Sequence, residues 1–190
     1  MHTAMTPDPA TSPFCSIRPR VPADLDACVA ALAPVHTHSD YPVNWPADPA
    51  AWLTPPALLE GWVAELDGRI VGHAALCRAT DGDPAPRLWG SRRPGAAAAC
   101  VSRLFVAPSV RGLGVGAALM ERAVGEALSR GLHPVLEVVA SHPSVAFYER
   151  LGWELLGVVD ERWGPDQLVS LRCYAAPVEP DAPSVTPVDA

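Results

Sequence analysis

A glycine-rich stretch at the centre of the chain limits most strongly what the sequence can fold into. The segment FVAPSVRGLGVGAALMERAV, residues 105–124, runs from an apolar stretch through Pro108 and Arg111 into alternating glycines and then into an apolar repeat at helical spacing. A helix that begins directly after a strand leaves its first N–H groups without partners, and these groups together with the helix dipole attract an anion. That anion could be a nucleoside triphosphate, a dinucleotide, or the pyrophosphate of an acyl-carrier cofactor.

The first two of these ligands fit the rest of the sequence poorly. A triphosphate loop needs a lysine followed by Ser or Thr after its last glycine, whereas this chain has Ala117-Ala118 and contains no lysine. A dinucleotide site fits better, because Gly112, Gly114 and Ala117 satisfy the pattern GxGxxA between a strand and a helix. However, the next predicted strand carries its acidic residue, Glu137, in mid-strand and not at its end, and no series of strand-helix units follows. A glycine-rich turn that only lets strand and helix pack closely is the remaining structural alternative.

The pattern of apolar residues predicts a mixed α/β fold. The firmest local prediction is a hairpin over 61–79, because Asp67-Gly68 suits a tight turn with positive φ. The passage strand, helix, strand around the glycine-rich segment predicts a central parallel pair in an otherwise antiparallel sheet of six to seven strands, with helices on both faces. The other strands are predicted at 15–20, 99–108, 133–140, 153–163 and 167–175, and the helices at 22–33, 48–53, 112–130 and 143–151.

The remaining segments are predicted to be irregular. Residues 80–97 are rich in turn formers and are expected to form a surface excursion. Residues 34–56 are expected to be a loop apart from the short helix. The ends, 1–13 and 176–190, have little to bury and are expected to be disordered tails around one domain over 14–175.

Composition excludes several classes of function. The net charge is −7, and no basic cluster exists beyond Arg92-Arg93, so a nucleic-acid surface is not expected. The five cysteines have no metal-ligand spacing and are expected to be reduced thiols, which predicts a cytoplasmic protein without a metal. No apolar run is long enough to cross a bilayer, and the N-terminus lacks a secretion signal, so no membrane partner is expected.

Two blocks of the sequence resemble the GCN5-related N-acetyltransferase (GNAT) family. The segment LFVAPSVRGLGVGAALM, residues 104–120, is similar to the family's acyl-CoA loop, with Arg111, Gly114 and Gly116 in the family's Arg-x-x-Gly-x-Gly positions. The segment LEVVASHPSVAFYERLGW, residues 136–153, is similar to the second family block. The blocks occur in the family's order and at its spacing, and the order of elements over 16–175 matches the family's fold.

The resemblance implies an acetyl-CoA site. The pantetheine arm would pair with the backbone of a splayed strand at Leu104, Phe105 and Val106, because free N–H and C=O groups at a strand edge can bind an amide-bearing chain. Ser141 stands where many relatives have an asparagine and is included among the cofactor-binding residues. The pyrophosphate would lie on backbone amides of Arg111, Gly112, Leu113, Gly114, Val115, Gly116 and Ala117.

The resemblance also implies direct attack of an amine on the thioester. Tyr148 matches the tyrosine that protonates the leaving thiolate, and a phenol can serve as that donor. Glu137 matches the glutamate base of ribosomal-protein N-terminal acetyltransferases, although the spacing to the tyrosine is one residue shorter here. Two alternatives stay open: Glu137 could be a solvated or salt-bridged strand residue, and water could take the proton.

The acceptor is only loosely indicated. His36, His38, Asp40 and Tyr41 lie where the family builds its acceptor lid, and a histidine near neutral pKa can take a proton. Aromatic side chains that could line an apolar pocket are Trp45, Trp52 and Trp163.

Two functions remain after these arguments. The first is an enzyme that acetylates a primary amine on a small molecule or a peptide, and the second is a non-catalytic acyl-CoA sensor. The sequence leaves open the acceptor, the length of the acyl group, and whether the protein is a homodimer.

Overall fold

The structure, a computed structural model, describes residues 15–177, which fall into two compact units. Within that range, unit 1 comprises residues 15–78 and Val101–Glu126, and unit 2 comprises Ala79–Cys100 and residues 127–177. The elements are β1 Ser16–Pro19, α1 Leu25–Ser39, α2 Pro49–Leu53, β2 Leu58–Leu66, β3 Arg69–Arg78, α3 Pro84–Arg92, β4 Ala98–Val106, α4 Val115–Ser129, β5 His133–Val139, α5 Val145–Arg150, β6 Glu154–Gly164 and β7 Gln167–Ala175.

The predicted mixed sheet is confirmed. Its seven strands follow the order β1-β2-β3-β4-β5-β7-β6, and strand β4 contributes residues to both units. The predicted parallel pairing joins β4 and β5, with Ala98 opposite His133 and Cys100 opposite Val135. The predicted tail at 1–13 lies outside the described residues, as does the one at 176–190 beyond its first two residues, of which Ala176 donates its N–H to the Pro134 carbonyl oxygen at 2.9 Å.

Unit 1 is built on the predicted hairpin. Asp67 and Gly68 both have positive φ, 50° and 74°, as a two-residue turn between β2 and β3 requires. Strand β1 pairs antiparallel with β2, and an apolar cluster joins β2 and β4 to α1 and α2. Its buried members are Cys28, Ala31, Leu32, Val35, Leu53, Val63 and Phe105.

Helix α1 is longer than the sequence predicts. It begins at Leu25, runs through Pro34, which was expected to start a loop, and ends at Ser39. A proline inside a helix costs about 3 kcal/mol. Here its ring is exposed while Leu32 and Val35 on the inner face are buried, so tertiary burial offsets that cost.

Helix α4 starts later than predicted, at Val115 instead of Gly112. Two apolar residues within the predicted range 112–130, Leu113 and Leu128, are 64% and 56% exposed. Its buried side is formed instead by Val115, Leu119, Met120, Ala123 and Ala127.

The predicted end of α4 is confirmed. Gly131 has a φ of 70°, and the Leu132 N–H bonds to the Ala127 carbonyl oxygen, as in a glycine-terminated helix.

Unit 2 contains the main departure from the sequence prediction. Residues 84–92, expected to belong to a surface excursion, form helix α3, in which Ala85 is fully buried and Trp89 is 6% exposed. Both side chains pack in one apolar cluster with Val135, Leu156 and Cys173. Turn-forming Pro84 and Pro86 hid this helix, yet proline is well tolerated in the first helical turn.

Candidate functional site

The loop between β4 and α4 is anchored at both ends and exposed in the middle. Val110 and Val115 are buried, whereas residues 111–114 between them are exposed. The Ala107 N–H donates to the Val71 carbonyl oxygen at 2.8 Å, which ties the end of β4 to β3. The loop therefore presents its backbone to solvent from a fixed base.

Two glycines shape this exposed segment. Gly112 and Gly114 have φ values of 82° and 78°, which other residues rarely adopt. A Cβ added at either position would meet no protein atom within 4 Å, so the space beside both residues is open. Their glycine identity is explained by backbone conformation and by access, not by internal packing.

The loop leads directly into the N-terminus of a fifteen-residue helix. The bond from the Ala118 N–H to the Gly114 carbonyl oxygen, at 3.0 Å, begins the helical ladder. The N–H groups of Val115, Gly116 and Ala117 precede that bond and have no carbonyl partner in the helix. They supply donors at the positive end of the helix dipole.

Arg111 adds a full positive charge at the same place. Its side chain is exposed, and its Nη2 donates to the Ser39 Oγ at 3.2 Å, at the end of α1. An exposed guanidinium beside free backbone donors fits the diphosphate of acetyl-CoA, which carries negative charge on several acceptor oxygens.

Strand β4 presents its residues alternately. Phe105 is 3% exposed and stacks on the His73 ring at 5.5 Å, whereas Leu104 and Val106 are half-buried. The Phe105 side chain therefore packs in the core of unit 1, so only the Phe105 backbone could bind a ligand.

Glu137 lies in unit 2 on β5 and is linked to helix α3. Its Oε1 accepts a hydrogen bond from the Ala85 N–H at 2.9 Å, in the first turn of that helix. Burial raises the pKa of this carboxyl to about 7, and the Ala85 N–H partly opposes the rise. Its Oε2 has no hydrogen-bond partner among residues 15–177.

Tyr148 lies on α5, also in unit 2, and is 9% exposed. Its ring packs against Phe147 at 5.2 Å, Trp153 at 6.3 Å and Tyr174 at 6.4 Å, measured between ring centroids. Ser141 lies just beyond the end of β5 and is exposed.

Glu137 projects from one face of the sheet in unit 2, and Tyr148, on helix α5, packs on the other face. Glu137 pairs with Cys173, which packs under α3, whereas Tyr148 packs against Tyr174, the next residue along β7. Successive residues of a strand point to opposite faces. The two side chains therefore do not act on each other.

Most of the predicted acceptor residues lie in unit 1, where two pairs of rings are in contact, whereas Trp163 lies in unit 2. His36 and His38 lie on the last turns of α1, and the exposed Trp45 ring lies 5.2 Å from the His36 ring. Tyr41 makes an edge contact with Trp52 at 6.1 Å. Trp163, at the far end of β6 in unit 2, is 44% exposed.

Sequence reasoning missed Arg103. It has a φ of 51° within β4, and its Cζ lies 5.1 Å from the centre of the Trp52 ring. The one signal in the sequence was its position directly before Leu104, the first of the predicted cofactor-binding residues.

The described residues contain neither a candidate metal-binding cluster nor a candidate membrane-spanning helix. Residues 15–177 contain no group of three or more His, Cys, Asp or Glu side chains that could hold a metal ion. No helix in that range is long and apolar enough to cross a membrane.

Comparison with known proteins identifies the family. The profile of the acetyltransferase (GNAT) family matches residues 26–153. An uncharacterized N-acetyltransferase of Mycobacterium tuberculosis is 33% identical over 143 residues, which cover 73% of this chain and 80% of that protein. An N-acetyltransferase of Mycobacterium bovis matches to the same extent.

Solved structures share the fold. An N-acetyltransferase from Staphylococcus aureus Mu50 matches with a TM-score of 0.65 at 20% identity, covering 85% of this chain and 97% of that one. The ribosomal-protein-S18-alanine N-acetyltransferase from Escherichia coli matches with a TM-score of 0.61 at 20% identity, covering 91% and 99%. Arabidopsis thaliana NAA60 in complex with acetyl-CoA matches with a TM-score of 0.63 at 16% identity, covering 85% and 97%. With two sequence blocks, a family profile over most of the chain and this fold in agreement, the chain belongs to the acetyltransferase (GNAT) family.

Proposed function

We propose that this protein transfers an acetyl group from acetyl-CoA to a primary amine of a small molecule or a peptide. One observation supports this most directly. Gly112 and Gly114 hold an open, positive-φ loop in front of unpaired N–H groups at the start of α4. That arrangement suits a diphosphate. A loop that served only to pack strand against helix would not need the open space beside the two glycines.

The chain's own groups would hold the cofactor. Backbone N–H groups from Arg111 to Ala117 and the Arg111 guanidinium would bind the diphosphate, each charged hydrogen bond contributing about 1.5–3 kcal/mol. Backbone groups of Leu104, Phe105 and Val106, with Ser141, would bind the pantetheine arm. Acetyl-CoA supplies the acetyl group as an activated thioester.

Two side chains are proposed to move protons. Tyr148 would donate its phenolic proton to the departing sulfur. Glu137 would accept a proton from the attacking amine, because a carboxyl with a pKa of about 7 is partly ionised at neutral pH and can hold the proton it takes. The nitrogen and the sulfur are bonded to the same carbon in the tetrahedral intermediate, so that carbon would have to lie where each residue can reach it from its own face of the sheet.

The experiment is a thermal melt followed by an activity assay. Acetyl-CoA and CoA should each raise the melting temperature while NAD leaves it unchanged, since a ligand that binds only the folded protein adds about 2.7 kcal/mol at a hundred times its Kd. Release of free thiol in the presence of amines would then report turnover. Absence of any shift with acetyl-CoA would refute the proposal, and a shift without thiol release for any amine would favour a sensor.

A further inference from the structure

Arg103 adopts a backbone conformation that is unusual for its residue type. Its φ of 51° places an arginine in the left-handed region in the middle of β4. A residue held in such a conformation costs about 1–3 kcal/mol, and such residues cluster where a side chain must be aimed at a ligand.

Four contacts fix the Arg103 side chain. Its Nε donates to the Trp52 carbonyl oxygen, its Nη1 donates to the Ser102 Oγ at 3.0 Å, and its Cζ lies over the Trp52 ring. Its Nη1 also approaches the Cys77 Sγ at 3.9 Å. The guanidinium is therefore immobilised against the end of α2.

A second arginine stands beside it. Arg20 donates through Nη1 to the Leu53 carbonyl oxygen at 2.8 Å and through Nη2 to the Thr54 Oγ1 at 3.1 Å. Trp52 and Leu53 are consecutive, so the two guanidinium groups bind adjacent carbonyl groups at the end of α2.

A buried histidine joins the two arginines. The His73 ring is fully buried, with Nε2 3.2 Å from Arg20 Nη1 and Nδ1 2.9 Å from the Arg103 carbonyl oxygen. Burial lowers the pKa of His73 to about 4, so the ring is neutral and neutralises neither arginine.

No carboxylate within the described residues forms an ion pair with either Arg20 or Arg103, whereas Arg18 on β1 pairs with both Asp24 and Glu65. Burial also lowers the pKa of Arg20, and the nearby Asp24 and Glu60 carboxylates oppose that shift only in part.

Arg103 keeps unused donor capacity. A guanidinium has five N–H donors, and the Nη2 of Arg103 makes no hydrogen bond within the described part of the chain. The side chain is only partly buried, and this nitrogen is not among the fully buried atoms that lack a partner, so it keeps some exposure to solvent. Trp52 and Tyr41 provide an aromatic surface next to it.

We propose that Arg103 binds a carboxylate of the acceptor, so that the substrates are amines that also carry a carboxylate. This inference rests on the proposed acetyl transfer and specifies its acceptor. The partnerless charge of two fixed arginines attracts an anion, and the free Nη2 donor supplies a charge-assisted hydrogen bond. The aromatic pair covers the apolar part of such a molecule.

Matched amine pairs test the proposal. The probes are phenylalanine with phenylalaninamide and γ-aminobutyrate with its amide, each assayed by thiol release from acetyl-CoA. The carboxylate member should have a kcat/KM at least about tenfold higher, which is the size of one charge-assisted hydrogen bond. Amides that react equally well would overturn this inference and leave the proposed acetyl transfer intact.

Variants assign the effect to one side chain. Arg103→Gln should reduce the carboxylate preference to roughly twofold or less, whereas Arg103→Lys should retain part of it because the charge remains. Arg69→Gln removes an exposed arginine at the hairpin of the same unit and should leave the preference unchanged. An unchanged preference in Arg103→Gln would also overturn the proposal.

Binding decides the outcome if none of the four amines turns over. N-acetylphenylalanine and N-acetylphenylalaninamide would be titrated calorimetrically into the protein saturated with CoA. The carboxylate compound should bind at least about tenfold more tightly, and Arg103→Gln should remove the difference. Equal binding, or no binding of the carboxylate compound, would refute the inference. An unchanged melting shift with acetyl-CoA shows that each variant is folded.

Discussion

At the scale of single residues, Tyr148 belongs to the second family block and is buried among aromatic side chains. Its ring is enclosed by Phe147, Trp153 and Tyr174. Removing only the hydroxyl group leaves these three ring contacts in place.

Tyr148→Phe should lower kcat by about a hundredfold, the usual contribution of a general acid, while the Kd for acetyl-CoA stays within about twofold. Steady-state kinetics and calorimetry measure the two quantities. Tyr174→Phe is the matched control, since it removes a hydroxyl that donates to Glu149 Oε1 at 3.0 Å on the same side of unit 2. Equal rates for both variants and the parent would show that Tyr148 is a packing residue.

Residue roles were only partly predictable from the sequence. The positions of Tyr148 and Gly114 follow from short motifs whose members are neighbours in the chain. The contacts of Arg103 with Trp52, 51 residues away, and of Glu137 with Ala85, 52 residues away, depend on tertiary structure. No local pattern encodes such contacts.

At the scale of elements, α4 has a positive-φ glycine near each end. Gly114 precedes its first turn with a φ of 78°, and Gly131 follows its last turn with a φ of 70°. A Cβ would meet no atom within 4 Å at either position. Gly114 and Gly131 thus both require a backbone conformation with positive φ, but only Gly114 lies beside the proposed diphosphate.

Gly114→Ala and Gly131→Ala should each destabilise the fold by about 1–2 kcal/mol, because alanine disfavours the left-handed conformation. Only Gly114→Ala should also raise the Kd for acetyl-CoA, since its methyl group stands beside the free N–H groups. Urea unfolding and calorimetry give the two values. If both variants weakened acetyl-CoA binding equally, the loss would come from altered stability of α4 and not from the loop.

Elements with strong local signals were predicted well. The Asp67-Gly68 turn and the Gly131 helix end need particular φ values, which few residue types supply, so the sequence records them directly. Helices α1 and α3 were shortened or missed because their prolines resemble loop signals. Burial of Val35, Ala85 and Trp89 outweighs those signals, and burial depends on the whole unit.

At the scale of the whole molecule, the free energy of unfolding depends on pH through buried titratable groups in both units. Burial lowers the pKa of His73 from 6.5 to about 4 and raises that of Glu137 from 4.5 to about 7. Between pH 4.5 and 6.5 the unfolded chain holds the proton of His73 and has lost that of Glu137. The folded protein does the reverse, so the two groups change stability in opposite directions as pH rises.

The sign for Glu137 follows from its raised pKa. Its contribution to stability is fully present below pH 4.5 and is lost as pH rises towards 7, because the folded protein keeps a proton that the unfolded chain releases. Glu137→Gln cannot titrate, and its amide oxygen can still accept the Ala85 N–H. The unfolding free energy of this variant relative to the parent should therefore increase with pH, by about 2 kcal/mol from pH 5 to pH 6.5.

Urea unfolding of parent and variant at half-unit pH intervals measures this difference, and His73 cancels from it because both proteins carry that residue. A difference that stays constant over the whole range would mean that the Glu137 carboxyl is solvated and titrates near its ordinary value. The proton it holds near neutral pH would then be absent, and with it the physical reason for proposing Glu137 as the base. A difference that grows as expected, together with a lower kcat in the same variant, would support both the burial of this carboxyl and its role in taking the proton of the amine.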